Sequence, residues 1–209
     1  PETLEVPGDI SSAAYFISAA LLVPGSDVLI RNVGINETRA GILDAYAAMG
    51  ADITLENRRL AGFEDVADLH VRYSASLHGT EISGAMIPRL IDELPVIAAV
   101  AAGADGRTVF RDAQELKVKE SNRIAVMVEG LRALGISAEE TEDGMIIEGQ
   151  GSGLRVGSAT IDTHKDHRIA MTFAVLALAG DERTAVELLD ADCINISYPT
   201  FYDDLDHLL

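Results

Sequence analysis

The chain has 209 residues, enough for one sizeable hydrophobic core or two small ones. Its formal net charge is -18 and its pI is near 4.5, which speaks against a nucleic-acid backbone or an anionic membrane as partner. A single cysteine, Cys193, leaves no internal disulfide and points to a reducing, cytoplasmic setting.

Taken from the N-terminus, the chain states one pattern three times. The first unit opens on a small-residue helix, Ser12 to Ala20, which runs into Gly25. A strand over Val28 to Ile30 follows and turns at Asn32. An amphipathic helix then spans Thr38 to Met49, with paired strands over Asp52 to Leu55 and Leu69 to Tyr73. The second unit repeats the order. Asp92 and Glu93 open a helix over Leu94 to Ala102, stopped by Gly103, and the strand Thr108 to Phe110 turns at Asp112. The apolar run Ile91 to Ala102 is interrupted by Asp92, Glu93 and Pro95 and is too short to span a bilayer. A second amphipathic helix is predicted over Glu120 to Leu134, then strands over Ser137 to Glu140 and Gly144 to Glu148. The third unit has the helix Arg168 to Ala177, Gly180, the strand Ala185 to Leu188 and the turn residue Asp190.

The unit boundaries fall near 8–86, 87–165 and 166–209, and the last unit breaks off where the others form paired strands. An incomplete repeat predicts a fold completed by chain lying elsewhere. The opening Pro1 to Pro7 likewise reads as the middle of a longer protein. Helices that are apolar all round are buried helices. Three of them, each with its own strands, predict an inside-out α/β domain with helices within and sheets outside. With no Trp and only 5% aromatic residues, the core is expected to consist of Ala, Val, Ile and Leu. No strand is followed by a dinucleotide-binding glycine loop.

The chemistry is concentrated at two basic clusters, which hold all three lysines: Lys117 and Lys119 within Glu115–Arg123, and Lys165 within His164–Arg168. In so acidic a chain, such clusters are where a phosphate or carboxylate of a small molecule would bind. On a helix Lys119 and Arg123 share one face at its N-terminus, an arrangement that repels unless an anion compensates. A solvated helix start explains the same residues without a ligand. Glu120 stands between them, able to move a proton. Arg168 opens the third small-residue helix and offers a bidentate fork. Asp166 fits there as a helix cap. His164 and His167 lack a third ligand for a metal. Asp92 holds the equivalent place in the second unit, so Asp92, Lys119, Glu120, Arg123 and Arg168 are predicted to converge, with a carboxylate facing cations and able to take a proton from a hydroxyl.

Four phrases carry a family resemblance: Pro7–Ala14, Ile87–Pro95, Leu116–Arg123 with its Lys-Val-Lys-Glu, and Asp166–Met171. In their order along the whole chain they resemble the C-terminal half of the 5-enolpyruvylshikimate-3-phosphate synthase family. The wording around Ile87–Asp92 is more similar to its glyphosate-tolerant class. The resemblance implies two similar domains, each of three βαβαββ units around buried parallel helices, the enolpyruvyl transferase fold. In such a protein the first strands of the full chain complete this domain. It implies transfer of the enolpyruvyl group of phosphoenolpyruvate to the 5-hydroxyl of shikimate 3-phosphate with release of phosphate, by addition and elimination, without cofactor or metal. By the same resemblance Asp92 holds shikimate hydroxyls and acts as base, and Lys119 binds near shikimate 3-phosphate. Glu120 serves proton transfer at the methylene carbon, and Arg123 and Arg168 grip phosphoenolpyruvate. Two positions depart from the pattern: Glu115 where some members have Asn, and Ile196 where the glyphosate-sensitive class has a lysine. The remaining substrate contacts belong to the N-terminal half, the expected partner, so the isolated chain is expected to turn over negligibly. Two alternatives are the related UDP-N-acetylglucosamine enolpyruvyl transferase and a non-catalytic anion-binding scaffold.

Overall fold

The computed structural model describes residues 5–208, so Pro1 to Leu4 of the opening phrase lie outside the described residues. Three helices form the centre: α1 (Ile10–Leu22), α3 (Leu94–Ala102) and α5 (His167–Ala177). Every residue of α3 is buried, as are twelve of α1, so neither presents a polar face to water. Each of the three packs against the other two. Ser11 of α1 bonds to Glu93 at the start of α3, and Arg168 of α5 reaches the Asp92 carbonyl. At the opposite end Leu21, Leu22, Gly103 and Ala179 line one small cavity. The three helices therefore run in the same direction, and their N-termini meet.

Sheets lie outside this core. The first contains β1 (Asp27–Gly34), β3 (Glu64–Arg72) and β2 (Asp52–Ala61), in the order β1-β3-β2 and antiparallel. Its inner face carries the partly or fully buried Val28, Ile30, Ile53, Leu55, Leu69 and Val71. Helix α2 (Gly41–Ala48) packs against α3 and the 3-10 segment Gly84–Arg89. The second sheet joins β4 (Glu81–Ile82), β5 (Asp105–Phe110), β7 (Met145–Gln150) and β6 (Ser137–Glu140), with α4 (Arg123–Ala133) against it. The third is the parallel pair β8 (Ala159–Asp162) and β9 (Val186–Leu189), followed by the short α6 (Phe201–Asp206).

A shared βαβ step organises the three units. Gly8 bridges Val33 in parallel around α1, β4 pairs in parallel with β5 around α3, and β8 pairs in parallel with β9 around α5. The turn residues Asn32, Asp112 and Asp190 all have left-handed backbones, at φ 56°, 57° and 52°. Asn and Asp tolerate that conformation better than other non-glycine residues. The short parallel strands β4 and β8 have no sequence signature, since two to four residues carry no periodicity.

Several boundaries differ from those read in the sequence. Helix α4 begins at Arg123, because Asn122 caps it by accepting from the Ala125 N–H at 3.2 Å. The phrase before it forms a 3-10 turn, Gln114–Val118, so Lys119 stands outside the helix and shares no helical face with Arg123. Helix α2 starts later than Thr38, because Asn36 forms a local turn by accepting from the Thr38 N–H at 3.0 Å. The hairpin of β2 and β3 is longer than predicted: the polar run Glu56–Arg59 hides its alternation, and a bulge at Asn57 (φ 49°) shifts its register. Only Gly103 of the three expected stops is a helix cap; α1 and α5 end earlier, at Val23 and Leu178.

The core is less purely aliphatic than composition suggests: Tyr46, Phe110 and Phe173 are fully buried in it. Tyr15, Phe16, Tyr198, Phe201 and Tyr202 form a continuous edge-to-face cluster that docks α6 on α1. Gly130 of α4 lies against the Phe173 ring of α5, closer than a β-carbon allows. Helix propensity favours alanine there by about 1 kcal/mol. The contact reverses the sign: Gly130→Ala is expected to destabilise the fold by about 1–3 kcal/mol in urea unfolding.

The solvent face of the first sheet carries a second testable feature. His70 meets Asp27 through Nε2 and Glu56 through Nδ1, with Arg72 alongside. The hydrogen bonds to Asp27 and then Glu56 raise its pKa above the ordinary histidine value. The folded state thus favours the protonated ring. That stabilisation is complete below the unfolded histidine pKa of about 6.5 and is lost as pH rises through the raised folded value. Thermal unfolding across this range is expected to show the loss in the wild type and a flatter profile in His70→Gln.

Candidate active site

The site is assembled where the helix N-termini meet. Asp92 occupies the turn between a 3-10 segment, Gly84–Arg89, and α3. Pro95 in the first turn of α3 suits that position, since its missing N–H has no partner to lose. The Asp92 carboxylate faces three cations: Arg123 Nη1 at 3.4 Å, Arg168 Nη2 at 3.7 Å and Lys119 Nζ at 3.8 Å. Glu120 accepts from Arg123 Nη2 at 2.6 Å. All five residues named from the sequence therefore stand together, drawn from the second and third units.

Exposure grades across the group. The side chains of Glu120 and Asp92 are 49% and 38% exposed, Lys119 24%, Arg168 17% and Arg123 1%. The carboxylates face solvent and the arginines stand behind them. Lys119 is held by Glu115 at 2.5 Å as well as by Asp92. Glu115, one of the two departures from the family pattern, is thus the partner of a site cation. Ile196, the other, is exposed at the end of a 3-10 turn, Ala191–Ile196, and supplies no charge.

Arg123 is not the free helix-start cation that spacing suggested. Its Nε donates to Asp166 Oδ2 at 2.8 Å and its Nη2 to Asp166 Oδ1 at 3.3 Å. Asp166 is fully buried, and it also accepts from Ser121 Oγ at 2.9 Å and from the Arg168 N–H at 3.0 Å. The cap role read for Asp166 is present, joined by a larger one as counter-ion. Burial resists its ionisation, but the Arg123 and Ser121 hydrogen bonds outweigh burial and hold its pKa below the ordinary value. Two acids outside the five predicted site residues are thus structural to the site: Asp166 as an ion-pair partner, and Glu93, buried beside Arg168. An acid directly before the helix start and two residues before Arg168 was the available signal for Asp166.

His167 is buried with Nδ1 unpaired, and burial followed by the Arg168 charge depresses its pKa. His164 lies in an exposed left-handed turn. Among the described residues, no group of three or more His, Cys, Asp and Glu is arranged to hold a metal ion. No helix among them is long and apolar enough to cross a membrane. An open groove of about 920 Å³ lies elsewhere, between Ile35, Leu43, Leu55, Arg58 and Arg89, and contains none of the five residues. The site itself is an open wall. Chemically it offers one solvent-facing carboxylate poised among cations, a second carboxylate beside it, and donors suited to an oxyanion.

Comparison with known proteins gives the same direction. The family model described as EPSP synthase (3-phosphoshikimate 1-carboxyvinyltransferase) matches residues 1–205. A 3-phosphoshikimate 1-carboxyvinyltransferase of Geobacter sulfurreducens is 55% identical over 201 residues, 96% of this chain and 46% of that protein. One from a Thermoanaerobacter species is 53% identical over 203 residues, 97% of this chain and 47% of its own length. The chain spans about half the length of the curated relatives it matches. Among solved structures, EPSP synthase from Acinetobacter baumannii superposes with a TM-score of 0.94 at 41% identity, covering 98% of this chain and 46% of that one. The enolpyruvyl transferase NikO from Streptomyces tendae shares the fold, with a TM-score of 0.74 at 20% identity over 97% of this chain and 43% of its own. With its inside-out α/β architecture and its Lys-Val-Lys-Glu phrase at the site, the chain belongs to the EPSP synthase family.

Proposed function

We propose that this chain is the C-terminal half of a two-domain, cytoplasmic EPSP synthase and forms one wall of its active site. The reaction is transfer of the enolpyruvyl group of phosphoenolpyruvate to the 5-hydroxyl of shikimate 3-phosphate, with release of phosphate. The observation that carries the reading is Asp92: one accessible carboxylate within 4 Å of three cations.

The geometry suits addition followed by elimination. Asp92 accepts the proton of the attacking hydroxyl, and its cationic neighbours stabilise the carboxylate until then. Glu120 delivers a proton to the methylene carbon of phosphoenolpyruvate and later removes one from the methyl so formed. Lys119 lies near the shikimate phosphate. Arg168 grips phosphoenolpyruvate. Arg123 joins it when the substrate anion replaces Glu120 or Asp92 at its outer nitrogens, while Asp166 keeps the inner edge. Fixed donors of this kind stabilise a developing charge without rearranging. The N-terminal half supplies the opposite wall, so the isolated chain releases negligible phosphate.

The test is phosphate release by the full-length enzyme, supplied with phosphoenolpyruvate and either shikimate 3-phosphate or UDP-N-acetylglucosamine. Turnover with shikimate 3-phosphate alone is expected. Turnover with the UDP-sugar would transfer the chain to the sister activity, and turnover with neither would leave an anion-binding scaffold.

A further inference from the structure

Asp92 and Glu93 are neighbours in sequence with opposite surroundings. The Asp92 side chain is 38% exposed and the Glu93 side chain 5%. Glu93 stands at the N-cap of α3, where an acid ordinarily accepts from a free backbone N–H, yet it makes no such bond. Its carboxylate turns inward, accepts the Ser11 hydroxyl and lies 3.8 Å from Arg168 Nη1. Ser11 in turn accepts from Arg39 Nη2 at 3.1 Å. This chain of contacts crosses all three units: Arg39 and Ser11 from the first, Glu93 from the second, Arg168 from the third.

The contacts divide the Arg168 guanidinium in two. Nη1 is held by the Asp92 carbonyl at 3.2 Å and by Glu93. The Tyr15 hydroxyl also lies beside the guanidinium. Among the described residues, the ion-pair contact of Nη2 is the long one to the solvent-facing Asp92 carboxylate, at 3.7 Å, and this is the edge left for a ligand. We propose that Glu93 is a positioning residue: its buried carboxylate, hydrogen-bonded by Ser11, fixes the Arg168 guanidinium so that the Nη2 edge faces the substrate anion. This rests on the reading that Arg168 grips phosphoenolpyruvate. Burying a carboxylate is unfavourable without partners, and burial raises the Glu93 pKa against the opposing effects of Ser11 and Arg168. A helix start has no need of so unfavourable a group when a surface acid would serve. The group it touches gives the buried carboxylate a role.

The test uses the full-length enzyme and the near-isosteric Glu93→Gln. We expect KM for phosphoenolpyruvate to rise about tenfold with kcat within about threefold, because the grip is misaimed while Asp92 and Glu120 stay in place. Ser11→Ala, which keeps the carboxylate but loosens it, is expected to raise KM in the same direction by a smaller factor. In an Arg168→Lys background, Glu93→Gln is expected to add less than about twofold, since the group it aims is gone. An unchanged KM, or the full tenfold rise persisting in the Arg168→Lys background, would overturn the proposal. So would a Glu93–Arg168 coupling seen only in urea unfolding. A wild type that turns over neither substrate pair would instead sink the functional reading, and the positioning role with it.

Discussion

Arg123→Met is expected to lower the unfolding free energy by about 3–5 kcal/mol. The side chain is 1% exposed and its principal partner, Asp166, is fully buried. Methionine fills much of the same volume but leaves Asp166 as a buried carboxylate with only Ser121 and the Arg168 N–H for partners. That uncompensated charge, more than the lost contact itself, produces the large effect. The sign of the pH dependence follows. In the wild type the folded pKa of Asp166 is depressed, so its stabilisation is present above the unfolded carboxylate value of about 3.9 and is lost as pH falls through the folded value. Without Arg123, burial dominates, the folded pKa rises, and mild acid should stabilise the variant. Asp166→Asn in the same chain removes the stranded charge and keeps an acceptable cap, so the double variant should regain a large part of the loss. Urea unfolding at fixed m-value compares the wild type with both variants. A single-variant loss below about 1 kcal/mol would contradict the argument.

Asp92→Asn is expected to do the opposite: little to stability and much to catalysis. Its ion pairs are long and partly solvated, a class worth about 0–1 kcal/mol, so the melting temperature should move by less than about 4 °C. In the full-length enzyme kcat should fall by about 10²–10⁴, the range for loss of a general base. The amide removes one negative charge from among three cations. The KM for phosphoenolpyruvate is therefore expected to stay constant or fall while kcat collapses. An active enzyme that makes no catalytic use of Asp92 predicts no change in kcat. A kcat loss below tenfold would remove Asp92 from the role of base.

Much of the fold was legible because its central helices are built almost wholly from small apolar residues. Such a helix has no face that water can share, so Ser12–Ala20, Leu94–Ala102 and Arg168–Ala177 announced an interior position, and α3 begins and ends where periodicity put it. Asn32, Asp112 and Asp190 were legible as turns because few other residues accept positive φ without strain. Local polar bonding was less visible. The Asn122 cap and the Asn36 turn compete with helix over a few residues, and they moved the starts of α4 and α2 by several positions. The aromatic cluster also escaped composition, because ten aromatic residues look sparse until five of them meet.

The amino-acid order alone determined which residues carry charge and that the three small-residue helices must be buried, since these properties depend on side-chain chemistry and local period. Tertiary structure decided the rest. It separated Asp92 from Glu93, sending one toward solvent and the other inward, and it converted Arg123 from an apparent surface cation into a buried ion-pair centre. Burial and partner identity depend on what distant segments bring to the same point, and here Ser11, Asp92 and Asp166 meet because three parallel helices place their N-termini at one end of the core, where the start of α4 adds Arg123.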